Sequence, residues 1–185
     1  MKIIIWILFV TAFTPHINPA NAAETNLGGL ATLTTNNRWI TKEVPPQEEG
    51  HYILTIADSE KTGKLSGYIE LARMTQVKET QDIREWVEKF QIPNFRKGYI
   101  GNFQSNTLTK EFSIALAAGI PATLILQEIV INNNKRFAAF IFWQNKIKDD
   151  DFFGYVRISN LGSSTILSTE SGPLKELLDG IKFAN

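Results

Sequence analysis

The spacing of polar and apolar residues changes period several times along the chain, and each change marks an element. From His51 to Asp58 they alternate, with Tyr52, Leu54 and Ile56 to one side and His51, Ile53, Thr55 and Ala57 to the other. Period two predicts a strand. Ser59 to Lys64 contains Gly63 and reads as a turn, and Leu65 to Met74 resumes strand character, so the two runs form a hairpin. Upstream, Arg38 to Val44 carries Trp39 among β-branched neighbours and is a short strand, stopped by Pro45-Pro46. Residues 23–37 are small and polar, with Gly28-Gly29, and predict a loosely held amino-terminal arm.

At Asp82 the period shifts. Ile83, Trp86, Val87 and Phe90 fall at i, i+3, i+4 and i+7, one apolar stripe along a helix. Asp82 and Glu85 fit an N-cap with its capping-box partner, and Pro93 is expected to end the element. Residues 94–110 read as a loop with a short strand. Phe112 to Ala118 alternates again, with helix as the rival reading because of its alanines, until Gly119-Ile120-Pro121 breaks it.

Two β-rich runs follow, Thr123 to Ile131 and Arg136 to Trp143, either side of Asn132-Asn133-Asn134-Lys135. Asparagine tolerates the left-handed backbone that hairpin turns require. Glu128 and Arg136 are expected to face each other as a cross-strand ion pair. Phe137, Phe140, Phe142 and Trp143 share one strand and so must divide between both faces of the sheet, which implies that both faces are covered by helices or by a partner. Asp149-Asp150-Asp151 marks a turn, Phe152 to Ile158 a further strand, and Gly162-Ser163-Ser164 a loop. Leu174, Leu177, Leu178 and Ile181 repeat the helical stripe, with Pro173 at a position open to a first helical proline. The sum is an α+β domain, an antiparallel sheet of about six or seven strands packed with two amphipathic helices.

The amino end adds an address. Lys2, the uncharged run Ile3 to Phe13 and the small residues Ala20-Asn21-Ala22 have the order of a cleavable signal peptide. The run is too short for a bilayer span, which needs about 20 residues. Residues 1–22 are expected to be removed, leaving an exported protein, periplasmic or secreted, that starts at Ala23. The expected division is therefore signal peptide 1–22, arm 23–37 and a single domain 38–185. With no cysteine anywhere, acylation at the cleavage point is excluded, so no stable membrane anchor is expected after cleavage.

Composition then narrows the chemistry. Loss of residues 1–22 from 185 leaves 163, enough to bury roughly 70% of the unfolded chain's surface without metal or disulfide. Charge is balanced, 19 basic against 19 acidic residues in the whole chain, which argues against nucleic acid as a partner. His16 lies in the leader, so the mature chain holds one histidine, His51, and no cysteine. Cysteine nucleophiles, Cys-rich or multi-His zinc sites, iron–sulfur clusters and dithiol redox chemistry are excluded. No phosphate-binding, dinucleotide-binding or nucleophile-elbow motif is present. No catalytic residue, metal site or cofactor is assigned.

Four side chains stand out as ligand-binding candidates. Arg96, Lys97, Tyr99 and Phe103 mix cations and aromatic rings in a glycine-containing segment suited to anionic or sugar ligands. The plainer reading is a surface loop with its rings turned onto the core. His51, beside a Pro/Glu/Gly turn, reads as a surface or edge residue rather than a general base. The Asp149–Asp151 run reads as a solvated turn rather than a calcium or manganese site, since it lacks the spaced ligands and closing glutamate of an EF-hand.

From Phe112 onward the order is strand, Gly119-Ile120-Pro121-Ala122, long hairpin, strand, loop and a C-terminal helix ending Leu177-Leu178-Asp179-Gly180-Ile181-Lys182-Phe183. This resembles the PsbP-like fold, a group of small exported domains that includes DcrB-type periplasmic proteins, and the helix at Asp82 falls where that fold has one. The resemblance implies an α/β sandwich and a non-enzymatic accessory role, and transfers no functional residue. The functional expectation is an exported, non-catalytic binding or accessory protein with a protein partner or a small or glycan ligand. A small carboxylate-based hydrolase directed at glycans and a secreted effector or immunity protein are the alternatives.

Overall fold

A computed structural model describes residues 23–35, 39–45, 49–58, 66–73, 82–98, 109–116, 119–131, 134–147, 150–161 and 173–184. Residues 1–22, the expected leader, lie outside them. The strands are β1 (Ala23–Leu27), β2 (Ala31–Thr35), β3 (Trp39–Val44), β4 (His51–Asp58), β5 (Ser66–Arg73), β6 (Thr109–Ala115), β7 (Pro121–Ile131), β8 (Asn134–Ile147), β9 (Asp150–Leu161) and β10 (Ile181–Phe183). The helices are α1 (Ile83–Trp86), a π-helical turn (Val87–Gln91), α2 (Ile92–Gly98) and α3 (Pro173–Asp179).

Seven strands build the main sheet in the order β3-β4-β5-β9-β8-β7-β6, every neighbouring pair antiparallel. A second, three-stranded sheet has the order β1-β2-β10. This is the α+β antiparallel architecture that the alternation predicts. The period-two readings of β7, β8 and β9 hold because the two faces of each strand enter two different apolar clusters, and that of β4 holds because Leu54 and Ile56 are buried on one face while Thr55 is exposed on the other. Leu54, Ile56, Ile69, Leu71, Leu124, Leu126, Ile141, Trp143, Val156 and Ile158 pack on one side under the small sheet and α3. Ala72, Ile125, Ala138, Phe140, Phe142, Phe153 and Tyr155 pack on the other beneath Ile83, Trp86, Val87, Ile92 and Phe95. The aromatics of β8 divide as their spacing demands, Phe140 and Phe142 toward the helix, Phe137 and Trp143 toward the small sheet.

Several expectations are corrected. Residues expected as a loosely held arm include two strands. β1 and β2 pair antiparallel from Ala23↔Thr35 to Leu27↔Ala31, turning through Gly28 and Gly29 at positive φ. Leu27, Ala31 and Leu33 are buried, so the period-two pattern was there in a stretch too polar to declare it. The helix does not stop at Pro93. It runs to Gly98, because the amide of Ile92 reaches back five residues to the carbonyl of Val87 and this wider turn precedes the proline. That extra residue also shifts the stripe: Phe90 is 36% exposed, and Ile92 and Phe95 continue the buried face instead. At the far end α3 closes at Asp179 and Ile181 belongs to β10, paired with Leu33. Glu128 stands opposite Phe137 rather than Arg136, and its carboxylate meets Lys135 Nζ at 3.2 Å. Asp150 and Asp151 are strand residues, since the β8–β9 ladder reaches Ile147↔Asp150.

Candidate functional site

The helix packs over β8 and β9 of the main sheet, and on the same face the outer strands β3 and β4 keep exposed positions. Asp82 caps its start, accepting from the backbone amide of Arg84 at 2.8 Å. Trp86 packs on Phe153 and Tyr155, with ring centroids 5.2 Å away in both cases, and Phe95 meets the edge of Phe140 at 5.4 Å. These contacts fix the helix over β8 and β9. Beyond it, on the same face of β3 and β4, lie Ile40, Lys42, Val44, Ile53, Thr55 and Ala57. Ile40 is 59% exposed, and Val44, Ile53 and Ala57 are half-buried.

A polar strip runs along the border between covered and open face. Tyr68 donates its hydroxyl hydrogen to Gln91 Oε1 at 2.8 Å, a contact the π-helical turn makes by carrying Gln91 inward. The Arg157 guanidinium stacks 4.6 Å from the centre of the Tyr68 ring and 5.4 Å from that of Phe95. Glu70, 8% exposed, lies one strand residue pair farther on, with its Oε1 2.8 Å from His51 Nε2. Burial pushes the Tyr68 hydroxyl above its ordinary range against the opposing pull of Arg157, and pushes that of Tyr155 well above. Arg157 Nε is buried without a hydrogen-bond partner among the described residues.

The sequence-predicted candidates divide. Arg96 sits in the last turn of α2 and donates from Nη2 to Gln127 Oε1 at 2.5 Å. Gln127 is fully buried, its Oε1 also within 3.4 Å of the Thr109 hydroxyl and its Nε2 unpartnered among the described residues. Lys97 follows on the exposed side of the same turn, where a cation also suits the negative end of the helix dipole. Both therefore belong to a helix and not to a loop. Tyr99 and Phe103 lie outside the described residues. His51 starts β4 as expected, but the carboxylate that orients it was missed.

Tyr68, Glu70, Arg157 and Gln127 carry no motif. The available signal was the alternation itself: Tyr68, Glu70 and Ala72 interleave with Ile69 and Leu71, so a charge falls on a face that the aromatic residues of β8 and β9 also occupy. Chemically, the strip offers a half-buried cation on an aromatic platform, a carboxylate–imidazole pair and a tyrosine. Among the described residues Glu70 is the only buried carboxylate, and no group of His, Cys, Asp or Glu side chains is arranged to hold a metal. No described helix is long and apolar enough to cross a membrane.

No family model matches this chain, and no curated protein matches it. Solved structures do. The cyanobacterial PsbP of Synechocystis sp. PCC 6803 aligns with a TM-score of 0.53 at 12% identity, over 91% of this chain and 96% of that one. LpqN of Mycobacterium tuberculosis, described as involved in cell envelope biogenesis, aligns with a TM-score of 0.46 at 12% identity, over 92% and 88%. The chain thus has a weak PsbP-like fold resemblance, as its element order implied, and identities this low speak for the fold alone.

Proposed function

We propose that this chain is an exported, non-catalytic binding or accessory protein of the periplasm or extracellular space. The observation that carries the reading is the open half of the helix-side sheet face. Ile40 is 59% exposed there, beside half-buried Val44, Ile53 and Ala57. Apolar side chains grouped on an exposed sheet face mark interaction surfaces more often than scattered ones do. The leader at residues 1–22 supports export, and the described envelope role of LpqN and the PsbP-like fold fit an accessory protein. Arg96 and Lys97, with Tyr99 and Phe103 following them, are proposed as a second contact region at the end of α2.

The test is recovery of a partner from the source organism's own envelope fraction by the tagged chain beginning at Ala23, compared with its Ile40→Asp variant. The expected result is one partner, present with the parent and lost with the variant while the variant's melting curve is unchanged. Recovery of nothing by the parent, together with turnover of a glycan or peptide substrate, would overturn the reading in favour of a hydrolase.

A further inference from the structure

Charges on the helix side of the main sheet are unevenly matched. Glu70 engages His51, Glu85 engages Lys89, and Glu88 and Glu111 both engage Arg84. Arg157 and Lys42 have no carboxylate partner among the described residues. They share one row of the sheet, because Lys42 pairs with Thr55, Thr55 with Tyr68 and Tyr68 with Arg157. The row crosses the border from covered to open face: Arg157 is half-buried between two rings, Thr55 and Lys42 are exposed.

A guanidinium taken partly out of water is ordinarily matched by an anion, since desolvation of the charge is otherwise uncompensated. The rings of Tyr68 and Phe95 hold its plane but accept little of its hydrogen-bonding capacity, and its Nε remains unpartnered and buried. A guanidinium held against two rings, with no carboxylate partner among the described residues, is suited to two coplanar oxygens of an incoming oxyanion. Backbones of β9 and β3 in this row are three strand spacings apart, roughly 14 Å, and the Arg157 guanidinium already lies over the Tyr68 ring of the intervening strand.

From this arrangement we infer that the row Arg157–Tyr68–Thr55–Lys42 is a binding site for an oxyanion, a carboxylate or phosphate group, with Arg157 as its fixed donor and Lys42 as its mobile one. The inference deepens the binding reading by naming ligand chemistry at the edge of the same open face.

The test is a titration of the chain beginning at Ala23 with sodium phosphate, and separately with sodium acetate, at constant ionic strength, followed by backbone amide NMR shifts in β4, β5 and β9. Saturable shifts with either anion are expected, phosphate alone or acetate alone telling which group is preferred. Arg157→Lys keeps the charge but loses the planar fork, and should weaken binding roughly tenfold or more. Lys42→Gln, at an exposed position that folding does not need, should weaken it several-fold. Lys182→Gln, on the exposed side of β10, should leave it unchanged. Shifts that never saturate, or that are identical in all three variants, would overturn the proposal. A partner recovered in the envelope experiment alongside a null anion titration would end this inference and leave the binding reading standing.

Discussion

Trp143 and Gly154 offer the sharpest quantitative test of how the sandwich is packed. They are directly paired across β8 and β9, and the indole lies over the glycine. A methyl group at position 154 would come within 2.0 Å of Trp143 Cε2, 2.1 Å of Cζ2 and 2.6 Å of Nε1. All three are far inside van der Waals contact. The ring has little room to yield: Trp143 is 3% exposed, and its edge meets the Phe183 ring at 5.9 Å and 72°. Gly154→Ala must therefore drive the indole, and with it Phe183 of β10, off position. Overpacking of this kind costs about 2–3 kcal/mol, against the few tenths that a glycine-to-alanine change in an open strand would bring. In a domain of this size that lowers Tm by about 4–12 °C.

The assay is urea unfolding of the parent, Gly154→Ala, Trp143→Leu and the double variant. Trp143→Leu is itself destabilising through the cavity it opens, yet it removes an indole N–H that has no partner among the described residues. If steric conflict is the cause, the alanine should cost much less in the leucine background, with a coupling of more than about 1 kcal/mol. A Gly154→Ala cost below about 0.5 kcal/mol, or one equal in both backgrounds, would refute the packing argument.

Two further outcomes concern pH. Tyr68 and Tyr155 are both held above the ordinary tyrosine range, chiefly by burial, so their neutral forms favour the folded state. The stability this gives is complete below a pH of about 10, where the unfolded tyrosines are still neutral. It is lost as pH rises through the higher folded values, so unfolding free energy should fall steeply in alkali, and less steeply in Tyr155→Phe. At the acid end, Arg84 lowers the Glu111 carboxyl, chiefly by hydrogen bonding at 2.6 Å. That contribution is present above the ordinary carboxylate range and is lost as pH falls through the lowered value. Because the pair is on the surface it amounts to about 0.2–1 kcal/mol, checked as the difference in pH dependence between the parent and Glu111→Gln.

What the sequence made legible follows from which forces act locally. Strands β4, β7, β8 and β9 and the start of α1 were readable because alternation and the 3.6-residue stripe are imposed by burial on a known face. The phase of the helix beyond Val87 was not readable, since a π-helical turn leaves no residue signature and turns Phe90 outward where a regular helix would bury it. The β1–β2 hairpin escaped because Thr32 and Thr34 conceal an alternation whose buried members are only Ala31, Leu33 and Thr35. At the candidate site, Arg96 and Lys97 were found by composition, but their placement at the end of a helix was hidden behind Pro93. Arg157 and Glu70 were invisible for a different reason. Each gains its setting from strands that pairing alone brings together, Tyr68 standing 89 positions before Arg157 in the chain.

The small sheet has a consequence for how the molecule is made. β2 sits between β1, its sequence neighbour, and β10, which supplies Ile181 opposite Leu33. The layer that closes one side of the core is therefore stitched from residues almost the whole domain apart. A nascent chain can assemble its β7–β8–β9 ladders early, but Leu33 and Trp143 stay uncovered by their final partners until Phe183 has emerged. Loop-closure entropy of that length delays the last step. The β10 strand is thus a clasp on the core, and a chain cut short before it would be left with its apolar layer open to water and to other chains.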